Sequence, residues 1–321
     1  MTADAAKSLD GRAVAYFRDL QDRIVAGLEE LEGPNGGKFH QDSWDRAGGG
    51  GGRSRVLADG ALFEKAGVNF SDVFGSLRPD MAAALPGDGA TFHASGVSLV
   101  LHPRNPRVPT VHANVRFIQR GSAAWFGGGT DLTPYYVVPE DASAFHRGLK
   151  DICDGHQRAL YPRLKRWCDR YFFLPHRNEP RGVGGIFFDY LGAGAEATAG
   201  EAEPPTPTEW ESDPERVFAF VRDLGDGMMN AYADIVSRRR SESYGDAERD
   251  WQLVRRGRYA EFNLIYDRGT IFGLKTDGRT ESILMSLPPE VRWRYGAAPT
   301  PGSAEAASLE AICARRDWAE M

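Results

Sequence analysis

Cysteine is scarce in this chain: three in 321 residues, Cys153, Cys168 and Cys313, with no C-x-x-C pair among them. The odd count and wide spacing exclude a disulfide framework and a cysteine metal knuckle, and they fit a reducing compartment. Basic charge is also short. Lysines and arginines number 39 against 45 acids, a net charge of −6, which gives no field that gathers nucleic acid. An anionic ligand must therefore be held by a local cluster of arginines. Long apolar runs are missing, none approaching the roughly 20 residues of a membrane span. The first residues lack an apolar signal core and already carry Asp4 and Asp10, so the expectation is a cytoplasmic protein without membrane insertion.

What is present is ordinary globular composition, 41% hydrophobic and 26% charged, in a chain long enough to bury a large core. From Asp10 to Leu31 apolar residues recur at steps of three and four, and Gly33-Pro34 follows, the pattern of an amphipathic helix. Five glycines, Gly48 to Gly52, precede "RSRVLADG", but G-x-x-x-x-G-K-[ST] is absent, so a flexible loop ahead of a strand is expected rather than a phosphate loop. From Gly96 to Ile118 the period becomes two. Val97, Leu99 and Leu101 oppose Ser98, Val100 and His102; Val111, Ala113, Val115 and Phe117 oppose Thr110, His112, Asn114 and Arg116. Each strand thus has a dry face and a chemical face, and "PRNPRVP" connects them. Further strands are expected at Val183–Phe188, Arg258–Tyr266 and Thr270–Lys275, the last two joined by the turn "DRG". Helices are expected at Glu140–Asp154, His156–Phe173 and Asp213–Val236, the last opened by Asp213-Pro214. Ala193–Glu209 reads as a disordered surface insert. The sum is an α+β fold, a large mainly antiparallel sheet covered by helices on both faces, in a single domain over residues 1–321.

Several stretches carry chemistry. His112, Asn114 and Arg116, two apart on one strand face, form a row about 13 Å long of imidazole, amide and guanidinium. Polar residues on such a face are commonly just wet, yet His and Asn are poor choices for that duty, and the neighbouring strand offers Ser98 and His102. In "AWFGGGTDLTPYY" three glycines allow close backbone approach and Asp131 can serve as base or orienting anion; the plainer reading is a turn with an Asx hydrogen bond. In "LKTDGRTES" Arg279 beside Gly278 could grip a carboxylate, or could be a solvated turn residue. His102, His112, His146 and His176 stand near other polar residues but lack any tight ligand spacing. Tyr16, Phe17, Trp167, Tyr171, Phe187 and Phe188 fit apolar faces and read as core. Arg238-Arg239-Arg240 suits a helix C-terminus and is too short for a nucleic-acid tract.

Taken together, "GGGGRSRVLADGALFEKAGVNFS", "GVSLVLHPRNPRVPTVHANVRF", "WFGGGTDLTPYY", "HRNEPRGVGGIFFD" and "GRYAEFNLIYDRGTIFGLKTDGRTESILMSLPP" resemble the oxygen-dependent coproporphyrinogen III oxidases of haem synthesis. The likeness runs with breaks from the first helix to Tyr295. It implies oxidative decarboxylation of two propionates of coproporphyrinogen III to vinyl groups, giving protoporphyrinogen IX, with O₂ as co-substrate and no organic cofactor. It implies a homodimer whose contact involves the Tyr259–Pro289 region. Residue by residue, the resemblance implies His112 as proton donor, Asp131 as an acid that holds the pyrrole nitrogens, and Ser98, Asn114, Val115, Arg116, Asp277, Gly278 and Arg279 as substrate contacts. Arg116 also counts among the catalytic candidates. His102, His112, His146 and His176 match positions proposed to bind a divalent metal such as manganese in some members. The sequence departs from the pattern at Asp277, where glycine is common, and at Tyr190, where a second aspartate is frequent. Arg177 or Arg181 could hold a remaining propionate. Two other readings fit the residues: a metal-dependent oxygenase or hydrolase using the four histidines, and a non-catalytic tetrapyrrole-binding protein.

Overall fold

The computed structural model describes residues 8–77, 79–82, 85–192, 209–275 and 278–321. Ser8 opens the first helix by accepting the Gly11 N–H, and Gly33, at φ 88°, closes it, so that α1 spans Leu9–Glu32. Six strands then follow in chain order, β1 (His40–Asp45), β2 (Gly50–Ala58), β3 (Phe63–Ser76), β4 (Thr91–Pro103), β5 (Thr110–Arg120) and β6 (Ala123–Thr133), with the short α2 (Pro79–Ala82) between β3 and β4. Next come α3 (Pro139–Asp154), α4 (Leu160–Tyr171), the two-residue strands β7 (Phe173–Leu174) and β8 (Glu179–Pro180), and β9 (Gly184–Leu191). The chain ends in α5 (Pro214–Gly227), α6 (Asn230–Arg239), α7 (Asp246–Ile265), α8 (Arg268–Lys275), α9 (Thr280–Leu284) and α10 (Ala304–Cys313). The main sheet has the order β1-β2-β3-β4-β5-β6-β9, and every pairing is antiparallel.

The period-two pattern sorts the sheet into two faces as expected. Val97, Leu99, Leu101, Val111, Ala113, Val115 and Phe117 are all at most 2% exposed and form one core cluster with Phe17, Leu20, Ile24 and Leu28 of α1. Burying a side chain of this size contributes roughly 1.5–3 kcal/mol, so α1 is held mainly by this face. Gln21 is a polar residue buried among them, and its amide donates to Arg53 O at 2.6 Å and Val68 O at 2.8 Å, tying the helix to the sheet backbone. The other face is covered by the C-terminal helices. Ser282 of α9 lies 2.8 Å from Ser54 of β2, and Asn263 of α7 accepts from Arg181, just ahead of β9, at 2.9 Å.

Two of the expected strands are helices. Arg258–Tyr266 falls in α7, and Thr270–Lys275 belongs to α8. The helical period of α7 was hidden because four charged residues sit among its buried positions: Glu261 and the arginines Arg255, Arg256 and Arg258, which are 4, 1 and 7% exposed. Each arginine meets a carboxylate, Arg255 on Glu179 at 2.8 Å, Arg256 on Glu64 at 2.7 Å and Arg258 on Glu261 at 2.9 Å. A hydropathy pattern cannot register a face dried by ion pairs. The "DRG" stretch is a helix start, since the Asp267 carboxylate accepts the Thr270 N–H at 2.7 Å. The expected helix at Asp213–Val236 is two helices, parted at Met228 and Met229, and His156–Phe173 becomes helical only from Leu160. Asp213 caps α5 as read, accepting from the Glu215 and Arg216 N–H groups. The 193–208 part of the expected insert lies outside the described residues. Among the described residues no helix is long and apolar enough to cross a membrane.

Candidate active site

The polar face of the sheet is built by register. Val100, His112, Asp131 and Gly185 stand side by side on β4, β5, β6 and β9; Ser98, Asn114 and Gly129 form the next row; Gly96, Arg116 and Gly127 the one after. The central row continues outward through Asn69 on β3, Ser54 on β2 and Asp42 on β1. From Asn114 to Asp42 is four strand spacings, about 19 Å. The glycines of "FGGGTD" are explained by this packing. A Cβ on Gly127 would lie 2.7 Å from Arg116 Nε and 2.7 Å from Asp189 Oδ1, and Gly129, at φ 149°, would place one 2.2 Å from Ile186 O.

The side chains form one directed chain of hydrogen bonds. Arg116 Nη1 donates to Asn114 Oδ1 at 3.0 Å, Asn114 Nδ2 donates to His112 Nε2 at 3.3 Å, and His112 Nδ1 donates to Asp131 Oδ1 at 2.9 Å. This order assigns the His112 proton to Nδ1, because only then do these three contacts each pair one donor with one acceptor; Arg181 Nη2 also approaches Nδ1, at 3.4 Å. Arg181, just ahead of β9, closes the far end. Its Nη2 donates to Asp131 Oδ1 at 2.6 Å, its Nε to Asp131 Oδ2 at 3.1 Å and its Nη1 to Asn263 Oδ1 at 2.9 Å. Burial works against charge on Asp131, but Arg181 and His112 outweigh it and hold the carboxyl below its usual range. Burial likewise opposes the Arg181 charge, and Asp131 more than restores it. The guanidinium sits in an aromatic box, 4.0 Å from the Phe172 ring centre, 4.7 Å from Tyr259 and 4.8 Å from Phe262. At the other end, Arg116 Nη2 donates to Asp189 Oδ2 at 2.8 Å. Tyr171 and Phe187 stack 4.2 Å apart beside this pair and continue the aromatic wall.

His112, Asn114, Arg116, Asp131 and Ser98 are thus brought to one face. Val115 is not: its side chain is fully buried on the opposite face, so no side-chain contact from it to this site is available. Arg279 lies at the distant rim, where its guanidinium pairs with Asp42. Gly278 donates to Gly273 O at 2.9 Å, and Asp277 lies outside the described residues. Of the two arginines left open, Arg181 is the one in the network, whereas Arg177 grips Glu261 with Nε at 2.9 Å and Nη2 at 2.8 Å. The four histidines do not gather. His102 spends its ring nitrogens on Thr110 and Ser286 O, His146 on Tyr161 and Val183 O, and His176 on Tyr266 and Glu261. Among the described residues no group of three or more His, Cys, Asp or Glu side chains is placed to hold a metal. These residues do not fit the metal set implied by the resemblance, because their donor atoms are already engaged on separate elements.

Asn69, Asn263 and the aromatic wall carry no expectation from the sequence; Phe187, expected in the core, is buried there with Tyr171 packed against that core, and both also line the wall. Alternation along "GGIFFD" would have placed Gly185, Phe187 and Asp189 on one face and Ile186 and Phe188 on the other. Asn263 had no comparable signal, since its element was read as a strand. Residues 12–318 match the family model described as coproporphyrinogen III oxidase.

Proposed function

The chain belongs to the coproporphyrinogen III oxidase family, and on that footing we propose that it performs the oxygen-dependent reaction, converting two propionates of coproporphyrinogen III to vinyl groups. For each arm, R–CH₂–CH₂–COO⁻ + O₂ + H⁺ gives R–CH=CH₂ + CO₂ + H₂O₂: the C–COO⁻ bond and one C–H bond break, and two electrons pass to O₂. The observation that carries this reading is the continuous network from Arg116 through Asn114 and His112 to Asp131 and Arg181, on a partly open sheet face walled by aromatic rings. Arg116 recognises a carboxylate arm, and Ser98 and Asn114 support the macrocycle from the sheet. His112 exchanges the protons the balance requires. Asp131 acts through His112, because it is 1% exposed and both its oxygens are held by Arg181; it sets the imidazole's tautomer and direction and stabilises positive charge there. Gly278 and Arg279 at the rim serve a further arm. Neither an organic cofactor nor a metal enters these steps.

The test is incubation of purified protein with coproporphyrinogen III in air and under nitrogen. Protoporphyrinogen IX and peroxide in air, with neither under nitrogen, is the expected result. Binding without product in air overturns the reading in favour of a tetrapyrrole carrier.

A further inference from the structure

Arg116 and Arg181 occupy the same network on different terms. Arg181 is 2% exposed and satisfied by a two-point grip on Asp131 with Asn263 behind it. Arg116 keeps 32% of its side chain open and touches Asp189 through one nitrogen and one oxygen, 2.8 Å apart. Asp189 is delivered to it by an irregularity in the sheet. The β6–β9 register shifts between Phe126 and Gly128, so that Asp189 and Tyr190 together face Gly127, the arrangement of a bulge that re-aims a side chain. Tyr190 takes a left-handed conformation, φ 58°, costly for a bulky residue, and its N–H donates to Asp189 Oδ1 at 3.1 Å. Gly127 leaves the space in which guanidinium and carboxylate meet.

We propose that Asp189 is an internal counter-anion that occupies Arg116 until a carboxylate arm of the substrate displaces it. A small free carboxylate, mono- or dibasic but too short to reach a second anchor along the sheet, must compete with a partner tethered at contact distance and fails. An arm of a larger polycarboxylate, anchored elsewhere along the sheet, is tethered as well and succeeds. Asp189 retains the Tyr190 N–H when it yields, so displacement does not strand its charge. The site thereby rejects small anions and accepts a ligand with several carboxylates. This rests on the reading of the polar face as the tetrapyrrole site.

The experiment compares wild type with Asp189→Asn, which keeps shape and removes charge. Binding of coproporphyrin III, the oxidised tetracarboxylate, is followed by fluorescence, and binding of glutarate by calorimetry. Asp189→Asn is expected to tighten the porphyrin about five-fold, the order of a partly exposed ion pair that no longer has to be broken, and to bind glutarate that wild type ignores. Adding Arg116→Gln removes both gains, and Tyr190→Gly, which keeps the N–H, binds as wild type. Weaker or unchanged binding in a folded Asp189→Asn protein overturns the proposal; if that variant does not fold, Asp189→Ser is held to the same outcomes. A wild type that gives no vinyl product in air, while the variant gains glutarate binding, overturns the proposed function alone. A variant without that gain overturns the counter-anion alone when turnover is normal.

Discussion

Asp131 and Gly127 show how much of the site rests on single residues. Asp131→Asn leaves Arg181 charged and 2% exposed among three rings with no anion. Breaking a buried pair from one side costs about 3–5 kcal/mol, and urea unfolding should show a loss of that order. His112 loses its anionic support in the same change, so kcat should fall by about 100-fold or more. A kcat near wild type would remove Asp131 from the mechanism. Gly127→Ala tests the opposite case. The added methyl meets the far ends of two flexible side chains, Arg116 and Asp189, each 2.7 Å away, so they move and the fold stays. KM should rise about ten-fold while the melting temperature changes by a few degrees at most; a large stability loss with normal KM would contradict the placement of Arg116 at the ligand. The row His112, Asn114, Arg116 was legible from period-two spacing alone because strand geometry fixes which side chains share a face. Arg181 was not chosen over Arg177 by the sequence, since a loop arginine's direction is set by what packs on it: here Phe172, Tyr259 and Phe262.

Among the elements, α7 was the hardest to read and does much of the assembly. Its Glu261 gathers Arg177, His176, Arg258 and the Trp293 indole N–H, all within 3.0 Å. Burial raises the Glu261 pKa, but Arg177, His176 and Arg258 prevail and bring it down to about 2. An unfolded glutamate titrates near ~4.3. The folded value is the lower one, so the stabilisation is fully present above the unfolded pKa and is lost as pH falls toward 2. Its slope in that window is at most about 1.4 kcal/mol per pH unit. Glu261→Gln should flatten the decline of the urea midpoint between roughly pH 4.3 and 2; an unchanged slope would mean that Glu261 is not the group titrating. Such a helix is hard to read from hydropathy because the guanidinium and carboxylate groups of Arg255, Arg256, Arg258 and Glu261 share its buried surface with Leu253, Val254, Tyr259 and Phe262. α1 and the strand β5, whose buried faces are hydrocarbon, were legible nearly to their ends, whereas β4 was legible only from Gly96 and begins at Thr91.

At the scale of the whole molecule, α7 couples the site to the outer surface. Asn263, 4% exposed, supports Arg181, and the next two residues, Leu264 and Ile265, are 47 and 51% exposed. Leu274 on α8 is 44% exposed, and all three lie in the Tyr259–Pro289 region that the resemblance assigns to a subunit contact. Single exposed apolar residues are ordinary, but an adjacent pair with a third on the next helix suits the homodimer that the resemblance implies, whose formation would cover them. Leu264→Asp with Ile265→Asp places two carboxylates in that contact without touching the buried side of α7. Wild type should sediment as a dimer at micromolar concentration and melt at a temperature that rises with concentration; the double variant should sediment as a monomer and lose that dependence. Every member of the network from Asp189 to Asn263 comes from one chain, so the monomer retains the contacts. What it loses is the clamp on the end of α7, one residue from Asn263, and kcat should fall while porphyrin binding persists. A wild type that sediments as a monomer, or a double variant that remains dimeric, would place the subunit contact elsewhere.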